Sequence, residues 1–247
     1  MPEITRAVAR TLPEPLNARL RRLAHRPVRK AKSDDELWFW RSRLELDGGR
    51  FGNGHYRGLF LGMAEEQDDG FVSGKVVADF GCGPRGSLAW ASGADLRIGI
   101  DVLADAYANE FAENVLSHGM VYLKCTEHVI PLPAGFVDVM FTLNAIDHVD
   151  NFPEMCAEIV RVIKPGGLFV GSFNLEEPAS STEPQHLTEA IVREHLLDLL
   201  HVESYRTSKR ADGSSADYGE YAHFFNGPLS YTPGEEGVLW VRATKPA

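Results

Sequence analysis

A short stretch, VVADFGCGPRG at residues 76–86, constrains the fold of this chain more than any other feature. Its first five residues are almost entirely apolar, as in a strand buried on both faces of a parallel sheet. Gly81, Gly83 and Gly86 follow with the spacing G-x-G-x-x-G, which lets backbone approach a ligand closely at the end of such a strand. The stretch therefore predicts an α/β fold with a binding loop at the carboxyl edge of its sheet.

The rest of the pattern extends this strand into a doubly wound sheet. Strand and helix patterns alternate along the chain: strands at 96–101, 120–124, 136–142, 168–173, near 201–206 and at 237–244, and helices from about Ser87 and over 103–117, 152–163 and 187–200. Five βα units in series favour a parallel sheet with right-handed crossovers. We therefore predict a Rossmann-like, mostly parallel sheet with an antiparallel C-terminal strand, preceded by an N-terminal helical extension.

The chain has room for one such domain and a smaller N-terminal segment. Its 247 residues suit a single α/β domain with decoration. We expect a basic arm and helical lid segment over 1–70 and the ligand-binding domain over 71–247. No apolar run approaches the ~18 residues of a membrane helix, so we expect no membrane span. Cys82, Cys125 and Cys156 form no C-x-x-C pair, which favours a reducing, cytoplasmic location.

Charge is divided unevenly along the chain. Residues 1–32 carry nine Lys or Arg and two Glu, whereas the remainder carries 16 basic and 33 acidic residues. Such an acidic body disfavours nucleic acid as a partner. The basic arm places Leu16, Leu20 and Leu23 at helical spacing. This arm is either a helix that seeks anions or membrane surfaces, a transit peptide, or a short helix that packs its leucines on the domain, which we favour.

Two acidic residues near the ends of the first two strands indicate the class of ligand. Asp101 ends the second strand, where a carboxylate binds both hydroxyls of a ribose. NAD and S-adenosylmethionine both carry such a ribose. Asp79, two residues before the first glycine, distinguishes them, because a carboxylate there would repel a pyrophosphate and attract a sulfonium or an ammonium.

Four motifs together resemble the class I S-adenosylmethionine-dependent methyltransferases, in the small-molecule branch that includes the quinone-biosynthesis C-methyltransferases. They are ADFGCGPRG at 78–86, IGIDV at 98–102, IPLPAGFVDVMFT at 130–142 and VIKPGG at 162–167. The resemblance spans roughly residues 74–174. It implies that the domain over 71–247 is a methyltransferase whose cofactor is S-adenosyl-L-methionine and whose product is S-adenosyl-L-homocysteine.

The resemblance also implies which residues contact the cofactor. They lie in the first motif and at the exits of the second, third and fourth strands: Asp79, Gly81, Cys82, Gly83, Asp101, Val102, Thr126, Glu127 and Asn144. Thr126 and Glu127 depart from the family, which usually has an aspartate followed by a small residue there. The adenine contact is therefore open between the Thr126 hydroxyl, the Glu127 carboxylate and backbone N–H groups.

Asp147 and His148 follow the fourth strand and are the ionisable pair that this fold aims at the methyl acceptor. We expect His148 to act as a general base with Asp147 orienting it. The alternative is a structural His148 that packs under the loop. For substrate binding, the aromatic candidates are Tyr56, in a glycine-rich stretch, and Tyr221, in the polar loop of about 208–236.

These features predict methyl transfer by in-line displacement to an O or N atom, rather than C, of a small-molecule acceptor that is aromatic or heterocyclic. We expect no metal, because Asn144 and Asp147 mimic two magnesium ligands but no adjacent Asp-Asn pair follows on the next strand. Other classes stay open: an RNA or protein methyltransferase that uses the basic arm, or a non-catalytic S-adenosylmethionine-binding protein. The acidic body counts against RNA as the substrate.

Overall fold

The computed structural model describes residues 32–209 and 230–247 of the chain. It divides into two compact units, Met1–Ser42 and Arg43–Ala247. The described part of the first unit is helical, and the second unit holds the sheet. The domain boundary that the sequence predicts after residue 70 thus falls inside the second unit.

Two sequence predictions concern residues outside the described ranges, the leucine stripe of the basic arm and Tyr221. Within the described ranges, no helix is long and apolar enough to cross a membrane.

The described residues of the second unit form one seven-stranded sheet flanked by helices. The strands are β1 (Val76–Phe80), β2 (Leu96–Asp101), β3 (Val121–Lys124), β4 (Val137–Leu143), β5 (Ile163–Leu175), β6 (His201–Lys209) and β7 (Gly237–Thr244). The α-helices are α1 (His55–Ala64), α2 (Ala104–Glu110), α3 (Ala112–Ser117), α4 (Phe152–Val162) and α5 (Glu189–His195). Short 3-10 turns occur at Asp69–Val72, Ile146–His148 and Leu197–Leu199.

The strand order is β3-β2-β1-β4-β5-β7-β6. The first five strands are parallel, and β7 runs antiparallel to both of its neighbours. This confirms the predicted Rossmann-like sheet with an antiparallel C-terminal strand. The chain order reverses between β1 and β4, where Phe80 pairs with Thr142. Ligands of such sheets bind beyond the carboxyl ends of the strands at this switch point.

Strand β4 carries the core on both faces of the sheet, because alternate side chains of a strand point in opposite directions. Val139 and Phe141 belong to the cluster that α1 covers, and Met140 belongs to the cluster on the side of α4. The ring of Phe60 in α1 stacks on Phe141 with centroids 4.6 Å apart. Helix α1, which lies in the predicted lid segment, is therefore part of the core.

Three helix predictions differ from the structure. The helix expected from about Ser87 does not form; residues 83–90 form turns, in which the Ala89 amide donates to the Gly86 carbonyl at 3.0 Å. The helix expected over 187–200 ends at His195 and is followed by the separate 3-10 turn Leu197–Leu199. The single helix expected over 103–117 is divided at Phe111, whose backbone (φ −120°, ψ 34°) is not helical.

We expect Phe141→Ala to lower the free energy of unfolding by about 3–5 kcal/mol, since it removes a fully buried ring between α1 and the sheet. Denaturant titration measures this change. Leu116→Ala, at a side chain that is 82% exposed on α3, is the control and should change it by no more than about 0.5 kcal/mol. Equal effects of the two substitutions would contradict the assigned core.

Candidate functional site

The glycine loop turns sharply where β1 ends. Gly81 and Gly86 have φ angles of +72° and +78°, in the left-handed region that favours glycine. A Cβ on Gly81 would lie 2.2 Å from the Cβ of Ala145, and one on Gly86 would lie 2.4 Å from Cγ of His118. The loop backbone is thus packed directly against the segment that leaves β4, at the switch point of the sheet.

Asp101 fastens this loop to the end of β2. Its Oδ2 accepts a hydrogen bond from the Gly83 amide at 3.1 Å, and its Oδ1 accepts one from the Leu103 amide at 2.9 Å. A carboxylate oxygen accepts more than one hydrogen bond, so these contacts are compatible with additional hydroxyl donors. Asp101 lies where the sequence predicts the ribose-binding acid.

Asp79 lies beside the loop and is buried with one oxygen unpaired. The Ser87 hydroxyl donates to its Oδ2, whereas its Oδ1 has no hydrogen-bond partner among the described residues. Burial raises the pKa of Asp79 to about 7, the Ser87 hydrogen bond opposes this, and the charge of Asp101 adds to it. A buried carboxylate oxygen without a donor is costly, so the site favours a cationic ligand group here.

The side chain of Cys82 points away from the loop surface. A Cβ on Gly99 of β2 would lie 2.6 Å from the Cys82 Sγ, which places the thiol over that strand. Burial raises the pKa of this thiol well above its usual range. Only the backbone of Cys82 is therefore suited to a ligand contact. Val102, next to Asp101, is half-buried and packs on the core.

The loop after β3 is shaped by the two residues that depart from the family pattern. The Thr126 hydroxyl accepts hydrogen bonds from the amides of His128 and Val129, at 3.2 and 3.0 Å. The Glu127 carboxylate accepts one from the Asp150 amide at 3.0 Å. Both side chains hold this loop in place, and their contact with an adenine stays a prediction.

Asn144 joins the exits of β4 and β5. It adopts a positive φ of 47°, and its Oδ1 accepts a hydrogen bond from the Asn174 amide at 2.9 Å. Its own amide donates to the Ser172 carbonyl at 3.1 Å. Asn144 therefore fixes the direction in which the chain leaves β4, toward Asp147 and His148.

Asp147 and His148 lie together on the 3-10 turn after β4, and a third residue joins them. His148 Nε2 is 4.0 Å from Asp147 Oδ1 and 3.5 Å from Glu183 Oε1. Burial raises the pKa of Asp147, and Glu183 adds to this while His148 opposes it. The polar atoms of the three residues lie within 4.8 Å of one another, an arrangement that suits a cation.

The sequence pattern does not identify Glu183, because this residue belongs to an irregular loop between β5 and α5. Gln185 of the same loop makes two hydrogen bonds to the turn after β4. Its backbone N–H donates to the Asp147 carbonyl at 3.3 Å, and its side-chain Nε2 donates to the Val149 carbonyl at 2.8 Å. These hydrogen bonds dock the loop on the turn after β4. A Glu-x-Gln pair in a polar loop carries no periodic signal that would have identified it.

Tyr56 lies in the first turn of α1 and not in a loop, as the glycine-rich sequence suggested. Its ring is buried, and its centroid lies 4.2 Å from that of His55. Arg85, beside the glycines of the loop, is nearby and pairs with Asp47 at 2.7 Å. Burial, and next the charge of Arg85, lower the pKa of His55 to about 4. A substrate contact of Tyr56 stays a prediction.

Comparison with known proteins identifies a domain within the chain. Residues 78–171, which include the glycine loop, Asp101 and the turn after β4, match the family described as a methyltransferase domain. The chain therefore contains a class I S-adenosylmethionine-dependent methyltransferase domain. It forms the centre of the sheet, from β1 into β5.

The relatives of this methyltransferase domain carry names that describe different reactions. A sterol 24-C-methyltransferase of Pneumocystis carinii is 26% identical over 141 residues, which cover 53% of this chain and 34% of that protein. An S-adenosylmethionine-dependent methyltransferase of Mesorhizobium loti is similar in structure, with a TM-score of 0.51, 18% identity and coverage of 70% and 92% of the two chains. The [4+2]-cyclase SpnF has a TM-score of 0.52 and 17% identity, with coverage of 71% and 76%.

The chain spans about a third of the length of the curated sterol methyltransferases that it matches. At 17–18% identity, its similarity to the two solved structures shows a shared fold and nothing further.

The residues of the methyltransferase domain fit S-adenosylmethionine. The unpaired Oδ1 of Asp79 is complementary to an ammonium or a sulfonium and would repel a pyrophosphate. The absence of a Cβ at Gly81 lets the loop backbone pack directly against Ala145, in the segment that leaves β4.

We expect Gly81→Ala to abolish binding of S-adenosylhomocysteine, since the added methyl group would meet Ala145 and displace the loop. Gly74→Ala is the matched control, because Gly74 has a similar φ of +69° but no atom within 4 Å of its added Cβ. Calorimetry on both variants separates the steric effect from backbone strain. Loss of binding in the Gly74 variant alone would contradict this assignment.

We expect affinity for S-adenosylhomocysteine to rise about tenfold between pH 6 and pH 8, because only the ionised form of Asp79 attracts the ligand's ammonium. Asp79→Asn should remove this rise. Without ligand, the pH dependence of stability has the opposite sign to that of affinity. Because the pKa of Asp79 is higher in the folded protein than in the unfolded chain, folding takes up a proton between these two values. The contribution of Asp79 to stability therefore falls as the pH rises from about 4 to about 7. A pH dependence of affinity that persists in Asp79→Asn would assign it to another group.

Proposed function

We propose that this protein transfers the methyl group of S-adenosylmethionine to an O or N atom of a small-molecule acceptor that is aromatic or heterocyclic. The observation that carries the proposal is the unpaired, buried oxygen of Asp79 beside the glycine loop. Asp79 lies in β1, and the ionisable groups of Asp147 and His148 follow β4, the strand that pairs with β1 at the switch point. The Asp79 carboxylate suits a cationic methyl donor. The pair of Asp147 and His148 suits removal of a proton from the methyl acceptor. We place the reaction in the cytoplasm.

The cofactor-binding residues divide by the part of the ligand that they hold. The backbone of Gly81, Cys82 and Gly83 lines the methionyl part, while Asp79 holds its ammonium and Asn144 lies near its carboxylate. Asp101 accepts the ribose hydroxyls, and Val102, Thr126 and Glu127 surround the adenine. When bound, S-adenosylmethionine supplies an electrophilic methyl group on a sulfonium whose leaving group is a neutral thioether.

The acceptor side requires a proton acceptor and a shielded pocket. His148 Nε2 takes the proton of the acceptor O–H or N–H, and the Asp147 carboxylate at 4.0 Å stabilises the resulting imidazolium. Tyr56 and Tyr221 bind the acceptor, and shielding from water prevents hydrolysis of the methyl donor. We expect the reaction to need no metal ion and to be unaffected by EDTA.

Two measurements test the proposal. Calorimetry should show binding of S-adenosylhomocysteine and no binding of NAD. Mass spectrometry of candidate metabolites incubated with the protein and S-adenosylmethionine should show products that have gained one methyl group. Binding of NAD without binding of S-adenosylhomocysteine would refute the proposal.

A carbon acceptor is the second candidate, because the curated relatives include two proteins named sterol 24-C-methyltransferase. A carbon nucleophile also loses a proton after methylation, so the same base serves both reactions. Nuclear magnetic resonance of the methylated product locates the new methyl group on O, N or C and decides between the candidates.

We expect His148→Ala to lower turnover by about 10²–10⁴-fold while the affinity for S-adenosylhomocysteine stays nearly constant, as for a general base. Asp147→Asn should be milder if Asp147 only supports the imidazole. His201→Ala, at an exposed position at the start of β6, is the control and should leave turnover unchanged. A His148→Ala protein with a lowered melting temperature but full turnover would show that His148 is structural.

A further inference from the structure

The cluster of Asp147, His148 and Glu183 has the dimensions of a site for a small polar group. Its three polar atoms lie within 4.8 Å of one another, and they come from two elements, the turn after β4 and the loop before α5. Three atoms within 4.8 Å of one another are close enough that one nitrogen atom can be placed about 2.8–3.0 Å from each of them. The cluster thus offers three acceptors around one point when the imidazole is neutral.

Asp147 is the member that requires a ligand. Its side chain is only 5% exposed, and its Oδ1, the oxygen that faces His148, has no hydrogen-bond partner in the part of the chain that the structure describes. A buried carboxylate oxygen without a donor is strongly unfavourable. Together with Glu183, the cluster carries more negative charge than a single imidazolium neutralises. It therefore lacks a cationic hydrogen-bond donor.

The cluster adjoins the loop that holds the methyl donor. Ala145, two residues before Asp147, is the residue that a Cβ on Gly81 would meet. Positive charge develops on an acceptor nitrogen as it takes up a methyl group, and nearby carboxylates stabilise that charge. A phenolate or carboxylate acceptor would instead be repelled by Asp147 and Glu183. The electrostatics thus favour nitrogen over an anionic oxygen.

We infer that the methyl acceptor is an amine, whose ammonium group binds between Asp147, His148 and Glu183. This inference rests on the methyl transfer proposed above and narrows its acceptor from O or N to an amine nitrogen. Asp147 and Glu183 bind and position the substrate ammonium, and His148 receives its proton.

Protons and electrons balance in the proposed methyl transfer. Neutral His148 Nε2 takes one proton from the ammonium, which leaves a lone pair on the amine nitrogen. That lone pair forms the new N–C bond while the C–S bond of the donor breaks, and the bonding pair remains on sulfur. The positive charge of the sulfonium ends on the N-methylammonium product between the two carboxylates, and His148 releases its proton to solvent.

The first test locates the methyl group. The full chain is incubated with methyl-labelled S-adenosylmethionine and a small-molecule extract, and fragmentation of the labelled product identifies the methylated atom. Label on an amine nitrogen is expected. Label on O, S or C overturns the inference and leaves methyl transfer itself intact. Absence of any labelled product, with S-adenosylhomocysteine still bound, overturns the proposed function as well.

The second test removes each charge without changing side-chain size. Asp147→Asn and Glu183→Gln should each lower kcat/KM for the identified amine by about 10–10³-fold and leave the affinity for S-adenosylhomocysteine unchanged. Glu176→Gln is the matched control on the same loop, where Glu176 pairs with His186 at 3.2 Å, and it should retain full activity. Thermal unfolding verifies that all three variants fold. Full activity of the folded Asp147 and Glu183 variants overturns the inference.

A metal ion is the competing occupant of this cluster. Calorimetry with MnCl₂ and ZnCl₂ should show no site that Glu183→Gln removes, and EDTA should not change the activity. Activity lost in EDTA and restored by Mn²⁺, together with metal binding that Glu183→Gln abolishes, overturns the amine assignment in favour of a metal centre.

Discussion

The contact between Gly81 and Ala145 joins the two halves of the site. No side chain separates these two segments, because a Cβ on Gly81 would lie 2.2 Å from that of Ala145. One segment is the loop after β1, which Asp101 fastens through the Gly83 amide. The other leaves β4 toward Asp147. The parallel pairing of β1 with β4 brings both segments to the same edge, so the donor loop and the acceptor cluster are neighbours by construction of the sheet.

Two buried carboxylates with unpaired oxygens define the electrostatics of this edge. Asp79 and Asp147 each carry an Oδ1 without a hydrogen-bond partner within the described ranges, and burial raises both pKa values. A protein core rarely leaves such groups unsatisfied, and exceptions concentrate where a ligand completes them. In the proposed reaction, Asp79 contacts the methyl donor and Asp147 contacts the acceptor. Both substrates of the proposed reaction are accordingly expected to be cations.

The strands of the parallel sheet were predicted correctly because buried strands give continuous apolar runs that need no knowledge of distant residues. The helix expected from Ser87 is wrong: the segment forms turns whose amides donate three residues back, as from Ala89 to Gly86, and a short apolar pattern does not distinguish such turns from a helix. Tyr56 was misplaced for a tertiary reason. Surrounding glycines suggest a loop, but burial of Leu59 and Phe60 against the sheet forms α1 and places Tyr56 in its first turn.

The sequence by itself determined the fold class, the glycine loop and the positions of Asp79, Asp101, Asp147 and His148, since each lies in a predicted strand or shortly after one. Only the tertiary structure decided that Asp79 and Asp147 each keep one carboxylate oxygen without a hydrogen-bond partner among the described residues, and that Glu183 joins Asp147 and His148. Glu183 reaches His148 because Gln185 docks its loop on the turn after β4. Hydrogen bonds between residues some 35 positions apart in the chain leave no periodic trace in the sequence, so their result is visible only after folding.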